Sequence, residues 1–345
     1  MWIPFQLLLF VCSCIPLVPM AVHGFQERFP PPPPPPPPSS PSRRRLLYQL
    51  VGTVGVGAGY GKVVQDVLSR RQDYPNLPTN ERISFTYQQT IEQALALSVP
   101  FLNNGIAATT DSSSTYRLRV LELGIGSDCT SIYRKSYSGA ISSIARHVST
   151  NHSPKYSLHI TGMDLKEPKP SALTDARKIF LQDVYSITKH NNNYIDEQVS
   201  FDDLLKDGWD FSFVAGDAQD LAKLYPSDTF DVVTCSYLLC SVIDPQGVLQ
   251  EIYRLLKPNR GVFGFVEHVA VDTEYNNHGH RLLEIQQLAL DPLQQAVANN
   301  CHLHRYTEQS IQNVFGMDSF VTKERFFVDE MWPVSCQMLG VVRKA

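Results

Sequence analysis

The segment Val120-Leu-Glu-Leu-Gly-Ile-Gly-Ser127 constrains this chain most. Apolar residues run into an acid, and two glycines follow one residue apart. A buried parallel strand ends this way where it hands a nucleotide-like ligand to the next helix. Glycine lets backbone N–H groups approach the ligand, and the acid accepts hydrogen bonds from it. Alone, Glu122-x-Gly124-x-Gly126 also fits a tight turn with no ligand. The segments that follow decide between the two.

Those segments alternate between helix and strand. A helical pattern runs from 79 to about 101, with Ile83, Tyr87, Ile91, Ala94, Leu95 and Val99 on one side. The first strand covers 117–123 and is followed by a helix-like stretch, 131–148. The second strand, 156–163, closes on Asp164 and Leu165, and Ser171 can cap the helix after it. A third strand, 211–215, ends at Gly216-Asp217-Ala218. The fourth, 230–237, is a continuous apolar run, as a strand covered on both faces should be. A helix over 245–256 stops at Lys257-Pro258-Asn259, and a fifth strand, 262–266, ends at Glu267-His268. Residues 320–328 and 336–342 read as an antiparallel hairpin at the sheet edge. The pattern predicts one α/β domain over 76–345: a doubly wound, seven-stranded, mostly parallel, Rossmann-like sheet with an antiparallel C-terminal hairpin.

The first 75 or so residues have another character. Residues 5–18 are mostly apolar, too short for a comfortable membrane span, and precede Val22-His23-Gly24. Residues 1–24 therefore read as a signal peptide, with a membrane-anchoring end as the alternative. Pro30 to Pro38 is an uninterrupted proline run, a semi-rigid polyproline II spacer. The basic, Ser-rich stretch to Arg45 follows. A signal peptide followed at once by Phe25 and Arg/Ser-rich sequence resembles the bipartite plastid presequences of algae with complex plastids. Segment 46–60 is Gly-rich and mildly apolar: a weak membrane helix, a twin-arginine-type signal or the end of a transit peptide. Gly57-Ala-Gly-Tyr-Gly61-Lys62 is no P-loop, because it is one residue short and Val63 stands where Ser or Thr is needed. The expected destination is a plastid, with the endoplasmic reticulum or another membrane as the alternative.

Thirty basic against 34 acidic residues, with no basic stripe in the body, disfavour nucleic-acid binding. Of seven cysteines, Cys12 and Cys14 leave with the signal peptide. Cys129, Cys235, Cys240, Cys301 and Cys336 form no C-x-x-C pair, which suits a reducing compartment. His278, His280, His302 and His304 make two H-x-H pairs, but their polar or helical surroundings supply no completing ligand, so no metal is expected.

Phe213-Val-Ala-Gly-Asp-Ala-Gln-Asp-Leu221, Phe230-Asp-Val-Val-Thr-Cys-Ser-Tyr-Leu-Leu-Cys-Ser-Val242 and Glu251-Ile-Tyr-Arg-Leu-Leu-Lys-Pro-Asn-Arg-Gly261 follow the glycine motif in order. From about Leu118 to Ala345 the chain resembles the class I S-adenosylmethionine-dependent methyltransferases of the small-molecule type 11 kind. Phe265-Val-Glu-His-Val-Ala270, Leu290-Asp-Pro292 and Asn300-Cys-His-Leu-His-Arg305 resemble the methyltransferase-like 7 group more narrowly. That resemblance implies methylation of small thiols and membrane association through the N-terminal end. The chain departs from the pattern in three places. Asp128 stands where a third glycine is usual, about forty residues separate Glu122 from Asp164 where about twenty is usual, and the N-terminal region reads as targeting sequence.

The resemblance implies S-adenosylmethionine as cofactor. Gly124 and Gly126 would pass close to its methionine moiety, and Glu122 would orient the loop or meet the ammonium. Asp164 with Leu165 would take the ribose, Asp217 and Ala218 the adenine, and Ser236 with Tyr237 would face the methyl-transfer centre. A solvated loop acid, a turn residue and plain packing are the bland readings of Asp164, Asp217 and Tyr237. Methyl transfer from a sulfonium is an in-line displacement, so the protein mainly aligns the reactants and excludes water. A thiol acceptor must lose its proton. His268 is the first candidate base, with a satisfied structural histidine or a pocket wall as its other reading, and Asp291, in a Leu-Asp-Pro turn, is the second. The partner would be a small methyl acceptor. C- or O-methylation of a quinone or sterol-like ring is the enzymatic alternative, and an inactive cofactor- or partner-binding protein the non-enzymatic one.

Overall fold

The computed structural model describes residues 55, 58–66, 78–101, 116–148, 156–191, 200–271, 280–328 and 331–345. The expected signal peptide, proline run and basic stretch, and most of 46–60, lie outside these residues. The chain divides into two compact units, Met1–Gln65 and Asp66–Ala345. In the first, residues 58–65 are helical. Among the described residues no helix is long and apolar enough to cross a membrane.

The second unit opens with α1 (Pro78–Phe101), whose Ile83, Tyr87, Ile91, Ala94 and Leu95 are buried at helical spacing. Then come β1 (Tyr116–Leu123), α2 (Thr130–Tyr133), α3 (Ser138–Val148), β2 (Tyr156–Asp164), α4 (Pro170–Asn191), α5 (Phe201–Lys206) and β3 (Asp210–Ala215). The rest are β4 (Val232–Ser236), α6 (Pro245–Leu255), β5 (Val262–His268), α7 (Arg281–Val297), α8 (Thr307–Phe315), β6 (Phe320–Phe327) and β7 (Cys336–Arg343).

The seven strands form one sheet in the order β3-β2-β1-β4-β5-β7-β6. β1 to β5 pair in parallel, and β7 runs antiparallel between β5 and β6. This is the Rossmann-like methyltransferase fold. One apolar cluster joins α1, α3 and α4 to the sheet, and a second joins α6 and α8 to it. The chain runs outward from β1 through β2 to β3, then returns to β4 on the other side of β1. The crevice above β1 and β4 is therefore the switch point where doubly wound sheets bind ligands.

Three local expectations need correction. The helix-like stretch 131–148 is broken into α2 and α3, because Lys135 takes a left-handed φ of 53°. Between α4 and β3, where the pattern predicts no helix, a reciprocal Ser200–Asp203 box caps the short helix α5. The Leu-Asp-Pro segment is no turn: Pro292 lies inside α7. Proline removes the donor to the carbonyl four residues back, here that of Leu288. Leu288 is exposed, so the missing bond falls on the solvent side of the helix.

Candidate functional site

The parallel strands bring their C-terminal ends to one rim. After β1 the chain turns through Gly124 (φ 73°) and Gly126 (φ 82°). The Gly124 amide donates to the Met163 carbonyl at 2.8 Å, and the Gly126 amide to Asp164 Oδ2 at 3.0 Å. A Cβ on Gly126 would meet Asp128 Oδ1 at 2.8 Å, and one on Gly124 would meet Leu238 Cδ1 at 3.1 Å. Both positions exclude a side chain by conformation and by space.

Asp128 does not need to be glycine. The left-handed step falls on its neighbour Cys129 (φ 51°), which starts α2 without a side-chain cap. Asp128 is exposed, and its Oδ1 accepts from Thr130 Oγ1 at 2.7 Å.

Glu122 is buried beneath this loop. Its Oε1 accepts from Tyr87 Oη at 2.9 Å, and its Oε2 from Ser131 Oγ at 2.7 Å and Tyr137 Oη at 3.1 Å. Burial pushes its pKa up to about 7, against the pull of those three hydroxyls. Its hydrogen bonds tie α1, α2 and the segment before α3 to β1, so the carboxylate organises the loop from below.

The acid that ends β2 and the acid that follows β3 come from paired strands. The Gly216 amide donates to the Asp164 carbonyl at 2.9 Å, which ties the two strand ends together. Asp164 uses Oδ2 on Gly126, while Leu165 is exposed. Asp217 is exposed and its Oδ1 accepts from the Gln219 amide at 2.9 Å, a local turn bond; Ala218 is buried. Ser236, half-buried at the end of β4, lies within hydrogen-bonding reach of Tyr87.

Tyr237 follows with a left-handed φ of 56°, a cost that tertiary contacts must offset. Its amide donates to the Val266 carbonyl at 2.9 Å and its hydroxyl to Gln337 Oε1 at 2.7 Å. Glu267 completes the restraint. Fully buried on β5, it accepts from the amides of Leu238 (2.8 Å), Leu239 (2.9 Å) and Cys240 (3.3 Å). Burial raises its pKa, and those amides oppose the rise. Sequence reading gave Glu267 no role. The available signal was the one seen at Glu122, a lone acid near the end of an apolar strand.

His268 is buried, with Nε2 2.8 Å from Cys301 Sγ. Burial disfavours its charged form, but the Cys301 sulfur beside it outweighs that and raises its pKa. Cys301 is lowered by hydrogen bonding from Cys240 and by His268, while Cys240 is raised by the same Cys301 contact and by burial. Asp291 lies within α7. Its Oδ1 accepts from the Leu303 amide and its Oδ2 from Gln295 Nε2, each at 2.5 Å. It braces the 300–303 loop against α7.

The expectation of no metal concerned the H-x-H pairs. His280 stacks on Phe327, His302 faces Asp291 at 3.6 Å and His304 packs on Tyr306. The sulfur and nitrogen ligands instead meet at Cys240, His268 and Cys301, whose ligand atoms all lie within 4.8 Å of one another. No sequence spacing announces that meeting, since each residue comes from a different element. An open cavity of about 770 Å³ lies elsewhere, lined by residues including Tyr133, Ile179, Tyr185 and Phe201. It contains none of the rim residues, so the strand ends are the better candidate.

A protein family described as "Methyltransferase domain" matches residues 183–263, from α4 through the start of β5. Over that stretch the chain is similar to a methyltransferase domain. It is 36% identical over 100 residues to the thiol S-methyltransferase TMT1B of Rattus norvegicus, covering 29% of this chain and 38% of that protein. It is 34% identical over 82 residues to human thiol S-methyltransferase TMT1A, covering 24% and 31%. The chain thus spans well under half the length of the curated relatives it matches. Among solved structures, the YcgJ protein of Bacillus subtilis is similar at 16% identity and a TM-score of 0.35, covering 74% of this chain and all of that one.

Proposed function

We propose that this methyltransferase domain binds S-adenosylmethionine above β1 to β4 and methylates a small, lipophilic acceptor, a thiol in the first instance. The observation that carries the reading is the Asp164–Gly126 hydrogen bond at the switch point of the sheet. It joins the carboxylate proposed for the ribose to the glycine turn proposed for the methionine end. The cofactor supplies an activated methyl group. Gly124 and Gly126 keep the turn bare, Asp164 Oδ1 (without a hydrogen bond among the described residues) faces the ribose side, and Asp217 with Ala218 borders the adenine side. Ser236 and Tyr237 border the acceptor side, where an aromatic face favours a sulfonium charge.

The thiol preference rests on the partial likeness to thiol S-methyltransferases. His268 and Asp291 are engaged with Cys301 and with Leu303 and Gln295, so proton removal is assigned to neither. For residues 1–75 we propose targeting to a plastid and association with a membrane. A fluorescent fusion of those residues tests this, and diffuse cytosolic signal refutes it.

Calorimetry with S-adenosylmethionine and a methyl-transfer assay across thiols, phenols and quinols test the activity. Binding and turnover with thiols are expected. Asp164→Ala should weaken cofactor binding about tenfold to a hundredfold, the equivalent of 1.4 to 2.8 kcal/mol at 1.4 kcal/mol per decade. Folded protein that ignores S-adenosylmethionine would sink the proposal.

A further inference from the structure

Cys240, His268 and Cys301 come from three separate elements. Cys240 lies in the turn after β4, His268 ends β5, and Cys301 lies in the loop between α7 and α8. All three side chains are buried, at 1%, 2% and 8% exposure. Two sulfurs and an imidazole nitrogen within 4.8 Å of one another are a soft ligand set.

The surroundings hold this set in place. The His302 amide donates to the Cys240 carbonyl at 2.8 Å, and Asn300 Nδ2 to the Ser241 carbonyl at 2.9 Å. The two cysteine-bearing loops are thus bonded directly to each other. Arg305 spans the same turn through the carbonyls of Leu239 (2.6 Å) and Val242 (2.7 Å), and Glu267 grips its amides from below. Gln294 Nε2 donates to Cys301 Sγ at 3.4 Å, the kind of outer contact that orients a thiolate ligand.

We propose that Cys240, His268 and Cys301 form a binding site for one thiophilic d10 cation, with zinc as the type case. Two thiolates and a neutral imidazole would balance a dication in a buried place where uncompensated thiolates are costly. Three protein ligands leave a fourth position for a small sulfur or oxygen donor, the open coordination of reactive rather than purely structural zinc. Two ligands on a tetrahedral zinc stand about 3.5 Å apart, given Zn–N near 2.0 Å and Zn–S near 2.3 Å. The His268–Cys301 contact of 2.8 Å must therefore open. His268 Nδ1 has no hydrogen-bond partner among the described residues, so no bond on that side stops the ring from withdrawing.

The test uses the full chain, purified under reducing conditions, with zinc and cobalt(II) as probes. About one zinc per folded chain should survive dialysis, and cobalt(II) in its place should give thiolate-to-metal charge-transfer absorption with the intense visible bands of a tetrahedral site. Cys301→Ser and Cys240→Ser should each lower affinity at least tenfold, with folding checked by circular dichroism. His268→Gln should weaken binding while leaving part of the charge-transfer signal. The cobalt spectrum of the unaltered chain keeps the proposal testable if a variant misfolds. Absence of stoichiometric binding by folded protein would overturn it. So would binding indifferent to both cysteine changes, or recovery of Cys240 and Cys301 as a disulfide from folded protein alkylated before any reduction.

Discussion

Two buried acids sit at equivalent points, one residue before the ends of β1 and β5, and they are satisfied in opposite ways. Glu122 is held by hydroxyls from Tyr87, Ser131 and Tyr137. Glu267 is held by the successive backbone amides of Leu238, Leu239 and Cys240. Hydroxyl donors rotate and also accept, so the first arrangement can rearrange around a changed partner. Amides in a turn cannot, and a lost acceptor leaves them buried and unpaired. The first acid docks helices onto the sheet. The second fixes the backbone that presents Tyr237 and Cys240.

The strongest way to break this contrast is Glu267→Ala. Two or three buried amides would lose their acceptor at about 1–3 kcal/mol each, so a loss of about 4 kcal/mol or more is expected in urea unfolding. An effect below about 1 kcal/mol would mean that the turn holds itself.

Next is Glu122→Gln, read as a pH profile. Below the ordinary pKa of 4.5 both folded and unfolded chains hold the proton. Between 4.5 and about 7 the unfolded chain releases it while the folded chain does not, so stability falls as pH rises and the loss is complete above about 7. That window corresponds to roughly 3 kcal/mol for this group. The glutamine variant should lack this slope, and parallel profiles for the two proteins would refute the assignment.

The smallest effect is expected from Tyr87→Phe, which removes one hydroxyl of three. It should cost about 1 kcal/mol, because Ser131 and Tyr137 still serve the carboxyl. The Tyr87 bond favours the charged form, so its loss should move the midpoint of the pH profile upward.

What the sequence disclosed follows from the range of each interaction. Period-2 and period-3.6 patterning reports burial within one element, so the parallel strands, α1, α6 and the final hairpin were legible. The glycine turn was legible because positive φ restricts residue type at the position itself. Lys135 and Cys129 take left-handed φ without being glycine, so the break between α2 and α3 left no mark. Pro292 misled because a proline in a helix is tolerated only where solvent replaces the lost donor, and that depends on which face is exposed. The partners of Glu267 and the meeting of Cys240, His268 and Cys301 depend on pairings across the sheet that local pattern does not encode.

The order of the sheet has a kinetic meaning. β7 pairs with β6 near in sequence, Phe327 against Cys336, yet with β5 far away, Val262 against Arg343. Chain-closure entropy favours assembling the local hairpin first and docking it as one piece. Until it docks, Tyr237 lacks Gln337 and the edge of β5 beside His268 is bare. The C-terminal hairpin therefore acts as a latch on assembly, since its docking gives Tyr237 its partner Gln337 and covers the edge of β5 in one step.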